Sequence, residues 1–266
     1  MENKDVLNKM EEIYNLFYKN LKKDESIINS NSKIKYIFSY SMVLFDYGLD
    51  IVNLQKLNRN GSIEAISRDL LECYSYIKRL LYYYNIGEKQ YYDYVKFLVY
   101  EDMEQNRKIY NSLKEDRTID DFSRRDNDMK DILMLFENLI ERFFEDEATK
   151  IDKNNREESL LNILKTIKNC NENKFNENKV HRVGWAIENN NFIKEINNNK
   201  PYDGSYTPYR RLCHHTHNSI SSIQERTVCF ENTIFIPNNY SDNIPAALVL
   251  DYCCMEDINQ EILKLL

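Results

Sequence analysis

Only five glycines and four prolines interrupt this 266-residue chain. Glycine supplies left-handed backbone and proline presets tight turns, so a fold made of many hairpins has too few hinges here. Ordinary usage is roughly 7% Gly and 5% Pro. Long helices are the natural solution, and the apolar residues recur at three- and four-residue spacing between the breaks. The expectation is an all-α fold: a large helical bundle, folded as a single domain, with a short β-hairpin before the C-terminal helix. Helices are predicted from about Asp5 to Leu21, Ser32 to Lys56, Ser62 to Tyr84, Glu88 to Lys114, Ile119 to Glu147 and Arg156 to Asn169. A short helix near Trp185 to Glu188, another from Thr207 to about Gln224, and a last one from Ser241 to Leu266 complete the set.

The breaks carry local logic. "NRNGS" stops the second helix, and Ser62 is placed to cap the third, with Ala65 where a full capping box would have Glu. Gly87 in "NIG" offers a left-handed cap. Pro208 falls in a first turn, where its missing N–H costs nothing. "RTVCFENTIFIP" alternates β-branched and aromatic residues about Glu231–Asn232 and reads as the hairpin. "IKYIFSYSMVLFDYGLDIVNL" is apolar almost all round, which predicts a helix at the centre of the bundle.

The net charge of −7 argues against a nonspecific nucleic-acid coat, which needs a basic footprint, but leaves room for a local basic groove. Cys73, Cys170, Cys213, Cys229, Cys253 and Cys254 show no C-x-x-C spacing and sit mostly among apolar residues, so buried reduced thiols in a cytosolic protein are expected. No apolar run approaches the ~20 residues that span a bilayer. The charged start "MENKDVLNKMEE" does not read as a signal peptide.

Two stretches concentrate chemistry. In "SIEAISRDLLECYSYIKRLLYYY" a helical wheel puts Ile63, Ile66, Leu70, Cys73, Ile77, Leu80, Leu81 and Tyr84 on one face. Glu64, Arg68, Glu72, Ser75 and Arg79 fall opposite, with Arg68 one turn from both Glu64 and Glu72. The plain alternative is a solvated face whose exposed pairs contribute about 0–1 kcal/mol each. The functional alternative is a polar cleft in which an Arg–Glu pair orients another group.

The second stretch, "YRRLCHHTHNS", holds three of the four histidines. On a helix, Arg210, His214 and His217 share one edge, while Arg211 and His215 point outward. An imidazole half shielded by core has a pKa that moves easily across neutrality. Metal is one reading: His214 and His217 at i, i+3, with His181, could ligate zinc, but H-E-x-x-H and a suitably spaced carboxylate are both absent. No cofactor and no metal are therefore expected. Acid–base chemistry on RNA is another, with a neutral imidazole taking the 2′-OH proton and a neighbouring arginine steadying the phosphorane. Anion binding without turnover is a third. Against all three stands a helix with surface histidines that simply packs.

Three stretches in order, "SRDLLECYSYIK", "RVGWAIENNNFIKEI" and "SYTPYRRLCHHTHNSISSI", followed by a hairpin and a terminal helix, resemble a prokaryotic family known only as domain of unknown function 5677. The likeness covers roughly residues 32–266, leaving 1–31 as an N-terminal helix and linker. It rests on Arg68, Glu72, Trp185, Tyr209, Leu212, His217 and Ser219, and departs from the family at Cys213, where a Ser is usual. It implies an all-α fold and a shared site of Arg68, Glu72 and His217, with no established activity. A weaker likeness is to the HEPN superfamily of helical ribonucleases and nucleotide-binding proteins, whose mark is Arg, four to six residues, then His. Arg210 to His215, Arg211 to His217 and Arg210 to His217 all meet it. Many members of that superfamily dimerise so that two such pairs flank one RNA cleft, which implies a homodimer here.

The expectation that follows is a cytoplasmic, metal-independent endoribonuclease, toxin-like or acting in phage defence. His217 is the general base, Arg210 or Arg211 steadies the phosphate, His214 assists, and Glu72, held by Arg68, orients His217. RNA is the expected partner, with no membrane. The competing expectation is a non-catalytic interaction module with an unknown protein partner, in which the same cluster only fixes helix packing.

Overall fold

The computed structural model describes residues 3–21, 34–57, 60–115, 122–175, 179–196, 228–230, 233–235 and 244–266. The architecture is all-α. In chain order the helices are α1 (Asn3–Leu21), α2 (Lys35–Lys56), α3 (Asn60–Ile86), α4 (Glu88–Glu115), α5 (Phe122–Phe143), α6 (Glu145–Ala148), α7 (Arg156–Phe175), α8 (Lys179–Glu188), α9 (Asn191–Ile196) and α10 (Ile244–Leu265). Two three-residue strands, Val228–Phe230 and Thr233–Phe235, pair antiparallel with Cys229 opposite Ile234. Their turn and flanks lie outside the described residues, so the expected hairpin is not established. The predicted helix from Thr207 to Gln224 also lies outside them.

Several helix ends move for identifiable reasons. α3 begins at Asn60, so Ser62 sits inside the helix instead of capping it. Gly87 joins α3 to α4 at φ 158°, far from the left-handed cap expected of it. The predicted helix to Glu147 breaks at Phe144, whose φ of −134° and ψ of 58° are not helical, leaving α6 as a separate turn. The helix expected only from Trp185 begins at Lys179, and α9 follows. Asn190 makes that junction: its Oδ1 accepts from the Ile193 N–H at 3.0 Å, while its Nδ2 donates to the Cys253 carbonyl at 3.1 Å.

By contacts the chain divides into two compact units, Met1–Tyr82 with Glu177–Leu266, and Tyr83–Asn176. In the first, α1 presents Val6, Met10, Ile13, Phe17 and Leu21, a stripe of three- and four-residue steps, and Phe17 stacks on Phe45 of α2 at 4.1 Å. The helix at the centre is α10, not α2. On α2 the buried positions form one stripe and Val43 is 44% exposed. On α10, by contrast, Leu248, Leu250, Asp251, Cys253, Cys254, Met255, Asp257, Ile258 and Asn259 are all buried. α1, α2 and α9 pack on it, and α3 bonds to it from a further side. Gly48 of α2 lies against the Met255 side chain, whose end would have to shift to admit a Cβ there.

Polar side chains tie α3 to α10. The Ser67 hydroxyl donates to Asp251 Oδ2 at 2.6 Å. The Tyr74 hydroxyl and Lys78 Nζ both donate to Asp257 Oδ2 at 2.8 Å. Ser67, Tyr74 and Lys78 recur at seven and four residues, the seam one helix shows to a partner.

The second unit packs α4 against α5 and α7. Tyr91, Tyr94, Phe97, Leu98, Tyr100, Met103 and Tyr110 of α4 are buried, with Phe136 and Ile140 of α5 and Leu160, Ile163, Leu164 and Ile167 of α7. Lys114–Glu157 at 2.6 Å links α4 to α7, and Arg156–Glu137 links α7 to α5. Among the described residues no helix is long and apolar enough to cross a membrane.

Candidate polar and aromatic site on helices α3 and α8

One residue on from the Ser67 seam, and roughly a third of a turn further round α3, a second stripe runs through Arg68, Glu72, Tyr76 and Arg79. The steps are four, four and three residues, so these side chains line one flank of the helix over three turns. Arg68 Nε donates to Glu72 Oε1 at 3.1 Å, one turn apart. Their side chains are 24% and 14% exposed, so the pair is neither solvated nor fully enclosed.

The solvated face expected as the plain alternative is not what α3 presents. Glu64 is 2% exposed, and Ser75 is buried with its hydroxyl donating to the Glu72 carbonyl at 2.6 Å. Ile66, placed on the apolar face by the wheel, is only half-buried. α3 is thus enclosed on most of its circumference, and charged positions share that enclosure.

α8 supplies the opposing groups. Arg182 and Trp185 are three residues apart and meet Tyr76 and Arg79, also three apart, in reciprocal pairs. The Arg182 guanidinium lies 4.2 Å from the Tyr76 ring centroid, and its Nη2 donates to the Tyr76 hydroxyl at 3.0 Å. Tyr40 of α2 stacks on Tyr76 at 5.6 Å. At 2% exposed, Arg182 is the largest fully buried side chain of the described residues. A guanidinium in such a place needs ring faces and hydrogen bonds to offset lost hydration. Arg79 lies 3.7 Å over the Trp185 ring, and Tyr82 meets the same ring edge-on at 5.5 Å and 76°.

Of the residues predicted for the site, Arg68 and Glu72 are thus brought together. Arg210, Arg211, His214 and His217 lie outside the described residues. His181 is exposed on α8. Tyr76, Arg79 and Arg182 were not foreseen as a set. The signal was the matching three-residue spacing of Tyr76–Arg79 and Arg182–Trp185, two cation–aromatic pairs in complementary order. Among the described residues no group of three or more His, Cys, Asp or Glu side chains is placed to hold a metal ion.

Nucleophilic chemistry from the described cysteines is disfavoured. Cys73, Cys253 and Cys254 are free and buried, with the two neighbours on α10 unbridged as expected. Burial pushes the Cys73 thiol up to about 12, and it donates to the Tyr40 carbonyl at 3.2 Å. Burial and nearby carboxylates push Cys253 to about 12, and they push Cys254 well above its ordinary value. A thiol kept protonated is a small apolar side chain. What the α3–α8 flank offers instead is a carboxylate steered by one guanidinium, beside two more guanidiniums held on aromatic rings.

The class defined by fold and site is therefore an all-α protein with an arginine–aromatic face built from two helices. Compared with family models, with curated proteins and with solved structures, the chain finds no match.

Proposed function

We propose that this chain is a metal-independent endoribonuclease whose site includes the α3–α8 flank. The observation that carries the reading is the Arg68–Glu72 pair, partly exposed and held at 3.1 Å. A carboxylate fixed in this way can orient an imidazole and stabilise its protonated form, the task a general base needs from its partner. In this reading His217 takes the 2′-OH proton, Arg210 or Arg211 steadies the phosphorane, His214 assists and Glu72 orients His217. Arg79, set against Trp185, adds positive charge to a chain whose net charge is −7. Two copies flanking one RNA cleft would concentrate that charge, and a toxin-like or phage-defence role fits such an activity. Purified protein is expected to cleave single-stranded RNA in EDTA, and His217→Ala to lower the rate by about 10²–10⁴-fold, the usual contribution of a general base. Wild-type rates in that variant, or no cleavage by the wild type across varied RNAs, would refute the reading.

A second reading is favoured by a different observation. Arg182 is buried against Tyr76, so at least one guanidinium of this face holds helices together. If the whole cluster does the same, the chain is a non-catalytic interaction module. His217→Ala then lowers stability by about 1–3 kcal/mol, the cost of an orphaned buried partner, with no activity to lose. A melting curve superimposable on wild type would argue against it.

A further inference from the structure

We propose that Tyr82 and Trp185 form a stacking platform for an unpaired nucleobase of single-stranded RNA, an inference that rests on the RNA reading of the same face. Tyr82 is a large aromatic at the end of the Arg68–Glu72–Tyr76–Arg79 stripe, three residues beyond Arg79. It is 46% exposed, whereas Tyr74 and Tyr91 in the same part of the chain are buried. Its ring is not loose: it stands at 76° to Trp185, whose own ring is set by the Arg79 guanidinium 3.7 Å away. An exposed ring held by a second ring, beside a cation, matches how sequence-tolerant single-strand sites are built. The aromatic face takes any base, because every base has a π face to stack.

Position along the helix says which nucleotide it serves. Glu72 and Tyr82 are ten residues apart, or about 15 Å along the axis at 1.5 Å per residue. That is too far for one nucleotide to reach both, so the base on Tyr82 flanks the scissile bond. The platform therefore contributes to binding and leaves the chemical step alone. In the terms of a cleavage assay, it acts on KM and not on kcat.

Trp185 is the chain's only tryptophan, so its emission is an internal probe of the platform. The test titrates the full-length protein with two oligonucleotides of equal length, oligo(A) and an abasic ribose-phosphate strand. Both are 2′-O-methylated so that neither can be cleaved. Oligo(A) is expected to quench Trp185 and to bind about tenfold tighter than the abasic strand. Tyr82→Ala is expected to remove that preference, Tyr82→Phe to keep it, and abasic binding to stay within about twofold in both. Tyr82→Phe keeps the edge-on contact with Trp185 and should melt like wild type, while retained abasic binding shows that Tyr82→Ala is folded. Equal binding of the two strands by wild type, or an unchanged preference in Tyr82→Ala, overturns the platform. The substrate analogues cannot react, so base-dependent binding without cleavage of ordinary RNA would sustain the platform and reject the ribonuclease. Absence of any RNA binding rejects both.

Discussion

Asp257→Ala should cost this protein about 3–5 kcal/mol of unfolding free energy, the range for breaking a buried ion pair from one side. Asp257 is buried on α10, and its Oδ2 accepts from both Lys78 Nζ and the Tyr74 hydroxyl at 2.8 Å. Truncation leaves an ammonium whose side chain is only 11% exposed, and a phenol with no exposed surface, without their common acceptor. The Tyr74 hydroxyl retains the Ala186 carbonyl at 3.3 Å, a poorer partner. Tyr74 reports the same arrangement from its own side. Burial and the Asp257 anion together push the phenol well above its ordinary pKa, so it stays a donor at neutral pH. Urea denaturation checks the prediction: the midpoint should fall with the m-value unchanged. Asp257→Asn keeps an acceptor for Tyr74 and loses only the charge, so it should be the milder change. A loss below about 1 kcal/mol in the alanine variant would mean that Lys78 finds solvent and the seam does not depend on this carboxylate.

Asp251 should make the protein less stable as pH rises from about 4 to about 7. Its carboxyl is wholly buried, Oδ2 accepts from Ser67, and Oδ1 has no hydrogen-bond partner among the described residues. Desolvation pushes its pKa up to about 7, opposed in part by the Ser67 bond. Between the unfolded value near 4 and that folded value, the folded chain holds a proton that the unfolded chain has released. Stability contributed by this group is therefore complete below about pH 4 and is lost at about 1.4 kcal/mol per pH unit up to about pH 7. The total is roughly 4 kcal/mol, with no further change above. Glu104 and Glu157 act in the opposite sense, since Arg107 and Lys114 lower them, so wild type alone gives a mixed profile. The clean measurement is the difference in stability between wild type and Asp251→Asn, because the amide carries no ionisation cost. That difference should shift in favour of the variant as pH rises from about 4 to about 7, and level off above. A difference that does not vary with pH would refute a neutral Asp251.

How much of this was legible beforehand differs by element. α1 and α4 lie close to the expected spans because their apolar repeats are unbroken, whereas α7 runs six residues past the expected end at Asn169, to Phe175. Ser62 misled because a good capping side chain does not compel the helix to start there when Asn60 and Gly61 can continue it. The single helix expected over Ile119–Glu147 breaks at Phe144, where the backbone departs without a Gly or Pro to announce it. At the site, Arg68–Glu72 was readable because an i, i+4 pair is a property of one helix. Arg182 on Tyr76 was not, because it joins residues 106 positions apart.

What the amino-acid order determined by itself is local: that the chain is helical, where its apolar stripes run, and which charges share a flank. Periodicity counts sides of a helix, and α1, with a single buried stripe, is fully described by it. Only the tertiary structure decided how many sides are covered. α10 has neighbours around most of its circumference, so Asp251, Asp257 and Asn259 are enclosed together with its apolar residues. Packing of α8 on α3 likewise turned Arg182 from a surface charge into a buried one. The physical reason is that a wheel records direction from one axis, whereas desolvation depends on every atom nearby, and those atoms arrive from distant parts of the chain.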